Sequence, residues 1–234
     1  YQTEYFFSKP HKRALLWMPQ VWNGSVGNVD WLDEANQHVK VAVIDELFYA
    51  NQRKRTLVWN DEFDGTGLPD ASKWDYETGY VRNKEAQEYR VASLKNSHLE
   101  NGKLVIEAHK EAEGKVSSAS VMTRGKKDFL YGRIDVSAKM ARGVGVWPAI
   151  WTLGTDIGEK DVGWPRCGEI DIMEFVGFQP GMTHFNVHTY GTVCLDKGQN
   201  TIVAKGWQIP CTDLSDKFHV YSLDWTEKNL KMFF

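Results

Sequence analysis

Long hydrophobic runs are missing from this chain. No apolar stretch reaches the roughly 18 residues that a membrane-crossing helix needs, so no such helix is expected. Excess charge of one sign is missing too: 28 Lys and Arg against 31 Asp and Glu leave a net −3. Nothing in that balance attracts nucleic acid or an anionic membrane surface, and neither is expected as a partner. Cysteine is scarce, with only Cys167, Cys194 and Cys211. Cys194 and Cys211 are placed to close a loop, which leaves Cys167 beside Glu169; three reduced thiols fit as well, so the redox compartment stays open. Internal repeats, low-complexity tracts and a domain-splitting linker are absent. No charged-then-apolar leader precedes the polar and aromatic start at Tyr1, so either a mature chain or a recombinantly trimmed one is expected. What is present is enough length for one all-β domain, 234 residues, and many aromatics: ten Trp, nine Tyr and eleven Phe.

The most informative stretch is GEIDIMEF, residues 168–175, which sets three carboxylates within six residues of strand-forming sequence. Strand side chains alternate, so Glu169 and Asp171 share one face while Ile170 and Ile172 point to the core. Strict alternation would bury Glu174. An extra residue at Met173, bulged out of the ladder, returns Glu174 to the face of the other two. Like charges that close cannot all ionise, so the row is costly. An exposed acidic edge strand explains the bare pattern, but the flanks argue for chemistry. VWPAIWTLG lies upstream, with Trp147 and Trp151 four residues apart, and VHT lies downstream. Indoles suit stacking on sugar rings. Paired carboxylates are what retaining glycoside hydrolysis uses, a nucleophile and an acid/base about 5–5.5 Å apart.

Along the chain, the segments 5–7, 14–18, 39–49, 57–64, 119–124, 131–140, 218–225 and 230–234 read as strands, with a further pair around Asn101-Gly102. Residues 23–28 read as a loop and 51–55 as a solvated polar joint. Short strands without helical periodicity predict an all-β sandwich.

The stretches LVWNDEFDG, RNKEAQEY, NGKLVIEA, YGRIDVSAKM, GVWPAIWTLG, GEIDIMEFVG, VHT and FHVYSLDW occur in that order between Leu57 and Phe234. In this the chain resembles the laminarinase branch of glycoside hydrolase family 16. The resemblance implies a concanavalin-like β-jelly-roll sandwich of two curved antiparallel sheets. It departs at the ends, because the family's closing strands are not found after LKMFF. Residues 1–50 carry pieces similar to them: YFF, ALLWM, a WNG loop and VKVAVIDELFY. A circularly permuted single domain is therefore expected, with 1–50 matching the family's C-terminal strands and 56–234 its N-terminal and catalytic part. Tight exposed turns tolerate such a cut.

The resemblance also implies roles. Glu169 is the expected nucleophile and Glu174 the acid/base, with Asp171 between them setting protonation. Asn83, Arg124, Trp147, Trp151 and His188 are the expected substrate contacts. For the tryptophans ordinary core packing is the competing explanation, and the family pattern favours the cleft for Trp151. Trp22 and Asn23 are expected near the cleft border. No cofactor is expected for catalysis. A structural calcium is expected on the far face, at Asp45, Glu62 and the Gly102 carbonyl, since oxygen ligands suit a hard cation. The implied activity is endo-hydrolysis of β-1,3-glucan or mixed-linkage β-1,3-1,4-glucan, by a secreted or extracytoplasmic monomer acting on polysaccharide or oligosaccharide. The alternatives are a non-catalytic glycan-binding jelly roll and a relative acting on galactan or xyloglucan.

Overall fold

The computed structural model describes residues 2–6, 14–19, 22–24, 41–47, 54–190 and 205–234, with side chains described within 56–190 and 206–234. The first four strands are β1 (Gln2–Phe6), β2 (Ala14–Pro19), β3 (Trp22–Gly24) and β4 (Val41–Leu47). Then come β5 (Lys54–Asp61), β6 (Asp75–Tyr76), β7 (Gln87–Tyr89), β8 (Ser97–Leu99), β9 (Leu104–Ile106), β10 (His109–Lys110), β11 (Val116–Ser118) and β12 (Ser120–Met122). The longest strands follow: β13 (Gly132–Met140), β14 (Ala149–Gly154), β15 (Glu169–Phe175), β16 (Met182–His188), β17 (Lys205–Pro210), β18 (His219–Trp225) and β19 (Asn229–Phe233).

They form a two-sheet β-jelly-roll sandwich. One sheet runs β17-β16-β15-β14-β2-β12-β6. The other runs β1-β19-β18-β13-β3-β9-β8, with β4 between β13 and β5, and β7, β10 and β11 make a small third sheet. Alternation builds the core between the two large sheets. On β16, Thr183, Phe185 and Val187 are buried while Met182, His184, Asn186 and His188 are partly exposed. Phe185 and Val187 join Ile150, Ile170 and Ile172 from the same sheet, against Val136, Ala138, Tyr221 and Leu223 from the opposite one. Truncating Leu223, which is fully buried, to alanine would cost about 2–5 kcal/mol. Asp135 alternates with the core residues Ile134 and Val136 and is buried on the other face of β13. Its carboxylate accepts from Arg133 Nε at 2.8 and 2.9 Å and from Ser222. Burial pushes its carboxyl up, and Arg133 opposes that shift.

The Asn101-Gly102 turn is the expected two-residue hairpin. Both residues have positive φ, 53° and 68°, and Glu100 and Lys103 exchange backbone hydrogen bonds of 2.9 and 3.1 Å. At the other end of the chain order, β1 pairs antiparallel with β19, with Gln2 opposite Phe233. β2 lies between β14 and β12, deep in the catalytic-side sheet.

Two sequence expectations need correction. Trp22–Gly24 is a strand and not part of a loop; it pairs with β13 and β9 in the second sheet, so it is not on the sheet that carries the carboxylates. The polar joint is shorter than expected, because Lys54 and Arg55 already belong to β5. Among the described residues β5 pairs with β4 alone. An edge strand of that kind accepts charged residues.

Candidate active site

β15 lies between β14 and β16, and its register sets three rows across the sheet. Leu153, Glu169 and His188 form one row. Trp151, Asp171 and Asn186 form the next, and Ala149, Glu174 and His184 the third. Directly opposed residues in antiparallel strands share a face, so all three carboxylates emerge on one side. The register shift that makes this possible lies between Asp171 and Glu174. Against β14, Met173 keeps a partner in Ile150, and Ile172 is the residue without one. The bulge is therefore the pair Ile172–Met173 and not Met173 alone. A bulge sets two residues against one, so which is extra depends on the partner strand. Both are fully buried in the core.

The two glutamates have different surroundings. Trp164 Nε1–H donates to Glu169 Oε2 at 2.8 Å. His188 Nε2 lies 3.1 Å from Asp171 Oδ2 and 3.9 Å from Glu169 Oε1. Glu174 is held from both sides, by Trp147 Nε1–H on Oε1 at 3.0 Å and by the Asn186 amide on Oε2. His184, opposite Glu174, is kept towards its neutral form by burial, against the pull of the Glu174 charge.

Burial, and next the Asp171 charge, push the Glu169 carboxyl up to about 8. Asp171, only 3% exposed, is raised well above the usual range by burial and by the Glu174 charge. These shifts are not independent, because a side-chain hydrogen bond joins the two groups. The pair shares a proton near neutrality. Burial favours the neutral form of both, helped at Asp171 by the Glu174 charge and at Glu169 by the Asp171 charge. Trp164 N–H and the hydrogen bond between the two carboxyls stabilise the one negative charge that the pair retains. The arrangement thus offers one charged carboxylate beside a proton reservoir and a second carboxylate fixed by two N–H donors.

The other expected residues divide. His188 joins the cluster. Trp147, 46% exposed, is both open to ligand and tied to Glu174. Trp151 lies beside Asp171 in register but is 7% exposed, packed with Met122 and with the Arg82 guanidinium 5.2 Å above its ring. Trp147, not Trp151, therefore presents the more open indole. Asn83 is exposed and directs its amide to Glu85 at 3.4 Å. Arg124 is exposed just past β12, lining a small open cavity with Lys126, Lys127, Asp128 and Thr155. Neither bonds to the carboxylate row.

The calcium expectation does not fit. Asp45 on β4 pairs with Thr56, six residues before Glu62, and so lies about 20 Å along the ladder from it. Ligands of one calcium, at 2.3–2.6 Å from the ion, lie within roughly 5 Å of each other. Gly102 occupies the hairpin tip between β8 and β9, where it allows the positive φ. Two triads of possible ligand atoms do occur among the described residues: Glu169, Asp171 and His188, and, outside this site, Cys211, Asp213 and His219. In the first, proton sharing already accounts for the close approach.

Sequence reasoning missed Trp164, His184 and Asn186. For the last two a signal existed, because His-x-Asn-x-His over 184–188 has the period of a strand with one polar face. Trp164 had none, as it reaches Glu169 from the short turn Gly163–Arg166.

Comparison with known proteins points to a family. The sequence pattern of glycosyl hydrolases family 16 matches residues 83–234. A beta-glucanase of Rhodothermus marinus is 42% identical over 183 residues, 76% of this chain and 62% of that protein. Glucan endo-1,3-beta-glucosidase A1 of Niallia circulans is 35% identical over 198 residues, 76% of this chain and 28% of that protein. The chain thus spans under two thirds of either relative. Among solved structures, the laminarinase from Rhodothermus marinus superposes with a TM-score of 0.68 at 40% identity, covering 75% of this chain and 70% of that one. With its carboxylate strand inside the matched region, the chain belongs to glycosyl hydrolases family 16.

Proposed function

We propose that this chain is a retaining endo-glycosidase that hydrolyses β-1,3-glucan, or mixed-linkage β-1,3-1,4-glucan, outside the cytoplasm. The observation that carries the reading is the bulge at Ile172–Met173, which brings Glu174 to the face of Glu169 and Asp171. Glu174 enters the step protonated; Glu169 attacks the anomeric carbon, the glycosidic bond breaks, and Glu174 gives its proton to the leaving oxygen. Glu174 then takes a proton from water as that water displaces Glu169, so the configuration is retained. Asp171 shares a proton with Glu169, so that the pair carries one negative charge, which Glu169 uses as it attacks. Trp164 orients Glu169, while Trp147 and Asn186 orient Glu174. The similarity to a beta-glucanase and a glucan endo-1,3-beta-glucosidase supports the substrate class. Two carboxylates so held have no use in a protein that only binds glycan. Asn83 and Arg124 are assigned to sugar hydroxyls on the family resemblance alone.

Chromatography of products from laminarin, lichenan, agarose and xyloglucan tests the reading. Oligosaccharides are expected from laminarin, with or without lichenan. Products from agarose or xyloglucan alone would overturn the substrate assignment, and none from any of the four would overturn the activity.

The same reading covers chain organisation: residues 1–50 supply strands that the family places after its catalytic part. The pairing of β1 with β19 and of β4 with β5 supports it. Joining Phe234 to Tyr1 through an Asp-Gly turn and opening the chain at 51–53 should leave an active enzyme. A rearranged chain that folds but hydrolyses nothing would count against this order.

A further inference from the structure

Cys211, Asp213 and His219 meet at the edge of the sandwich, away from the carboxylate row. Cys211 directly follows β17, the outermost of the described strands of its sheet and two places from β15, and His219 opens β18 in the opposite sheet. Cys211 Sγ lies 3.1 Å from Asp213 Oδ1, and His219 Nε2 lies 2.9 Å from the same oxygen. All three atoms fall within 4.8 Å of one another. The His219 contact lacks hydrogen-bond geometry: its Nε2 is buried and has no hydrogen-bond partner among the described residues. Asp213 turns its other oxygen to Lys217 Nζ at 3.0 Å, which fixes the direction of Oδ1.

The backbone holds these groups in place. Cys211 N–H donates to the Gly181 carbonyl at 2.9 Å, and the Asp213 carbonyl accepts from Asp216 and Lys217 at 2.9 and 3.1 Å. Leu214, fully buried, anchors the turn, and its carbonyl accepts from Met140 N–H at 2.9 Å. The His219 ring stacks on Phe234 with centroids 5.2 Å apart. Convergence on one point is therefore a property of the folded corner.

We propose that Cys211, Asp213 and His219 bind a divalent cation of the zinc class, fastening the edge of one sheet to the other. Zinc takes sulfur at about 2.3 Å and nitrogen or carboxylate oxygen at about 2.0–2.2 Å, so ligand atoms of a tetrahedral site stand roughly 3.3–3.6 Å apart. The observed contacts of 2.9 and 3.1 Å need to open by only a few tenths of an ångström. One thiolate, one imidazole and one carboxylate select zinc over calcium or magnesium, which prefer oxygen alone. On binding, the metal–sulfur bond forms as the Cys211 thiol loses its proton to solvent; nothing is oxidised or reduced. The fourth position is left to water. This site stands apart from the glycan reading, and neither depends on the other.

The test uses the full chain, reduced and stripped with a chelator, then titrated with Co²⁺ as a spectroscopic probe and Zn²⁺ as competitor. One Co²⁺ per chain is expected, with a near-ultraviolet thiolate-to-cobalt band that Zn²⁺ abolishes. Cys211→Ser should lose the band and weaken binding at least tenfold. Asp213→Asn should keep the band and weaken binding, which preserves a readout if the serine variant fails to fold. Zn²⁺ at a hundredfold excess over its Kd should raise Tm by roughly 5–10 °C in the wild type. Absence of the band and of the Tm rise in the wild type would overturn the site. So would equal Zn²⁺ stabilisation of a folded Cys211→Ser chain.

Discussion

The two ends of β15 carry the same residue type and opposite environments. At one end Glu169 has a single indole donor, a buried neighbour in Asp171 and a carboxyl raised to about 8. At the other end Glu174 is gripped by the Trp147 and Asn186 N–H groups and faces a histidine that burial keeps neutral. Nothing in the side chains themselves distinguishes the two. The difference comes from the two-residue bulge, which offsets Glu174 onto other neighbours, and from Asp171, whose charge and hydrogen bond raise the Glu169 carboxyl. Division of labour between two glutamates is thus a matter of backbone register.

The largest break in this comparison removes either carboxylate. Glu174→Ala should cost roughly 10²–10⁴-fold in turnover, the usual range for a general acid/base. Glu169→Ala should abolish hydrolysis, since no covalent intermediate forms. Azide separates the roles. In Glu169→Ala it attacks the substrate directly and gives a glycosyl azide of inverted configuration. In Glu174→Ala it attacks the glycosyl-enzyme and gives the retained one. Identification of the two products by NMR checks this, and the same anomer from both variants would refute the assignment.

Next in size is deletion of Met173. Without the extra residue the strand runs unbulged, and strict alternation keeps Glu169, Asp171 and Glu174 on one face, so a folded deletion variant should keep the carboxylate row and lose only the part of its activity that depends on the neighbours the bulge selects. Met173→Leu keeps the register and should cost under about 1.5 kcal/mol by denaturant unfolding. A deletion variant of native stability that hydrolyses nothing would mean that the bulge supplies more than the facing of Glu174.

Much of this was legible in the sequence, for physical reasons. The carboxylate face followed from period-two alternation plus one extra residue, and the Asn101-Gly102 hairpin from the positive φ that such a pair adopts. The active centre lay in one contiguous strand, so local pattern sufficed. What escaped was set by the approach of distant segments. Trp164 reaches Glu169 from a turn, and Arg82 covers Trp151 from another loop, and neither contact has a periodic signature. The calcium set failed for a related reason: resemblance matched residue types, but the β4–β5 register separates Asp45 from Glu62.

A smaller effect should appear in stability. The folded-state carboxyls of Glu169 and Asp171 are raised above their unfolded values. Between the unfolded pKa near 4 and the folded one, the folded state therefore binds more protons than the unfolded state. Stability contributed by these groups is fully present below about pH 4 and is lost as pH rises towards about 8. Asp171→Asn removes one of the two groups and its pressure on Glu169, so its stability should fall less across this window. Thermal unfolding of both chains from pH 4 to pH 8 checks it, and parallel curves would show that the pair does not carry the shift.

The finest test moves no catalytic group. Gly206 on β17 lies opposite Asn186, and a Cβ there would come within 2.1 Å of Asn186 Oδ1. Gly206→Ala must therefore turn the Asn186 amide and loosen its bond to Glu174, while Trp147 still holds the other oxygen. A hydrogen bond to a charged group contributes about 1.5–3 kcal/mol, and a displaced side chain recovers part of it, so kcat should fall roughly tenfold with KM little changed. Asn186→Ala should do the same or more. The double variant decides the cause. With the amide gone the new methyl has nothing to strike, so Gly206→Ala should add little to Asn186→Ala. Multiplicative losses would show that Gly206 acts on the site by another route, and the grip on Glu174 would then not depend on the space left beside Asn186.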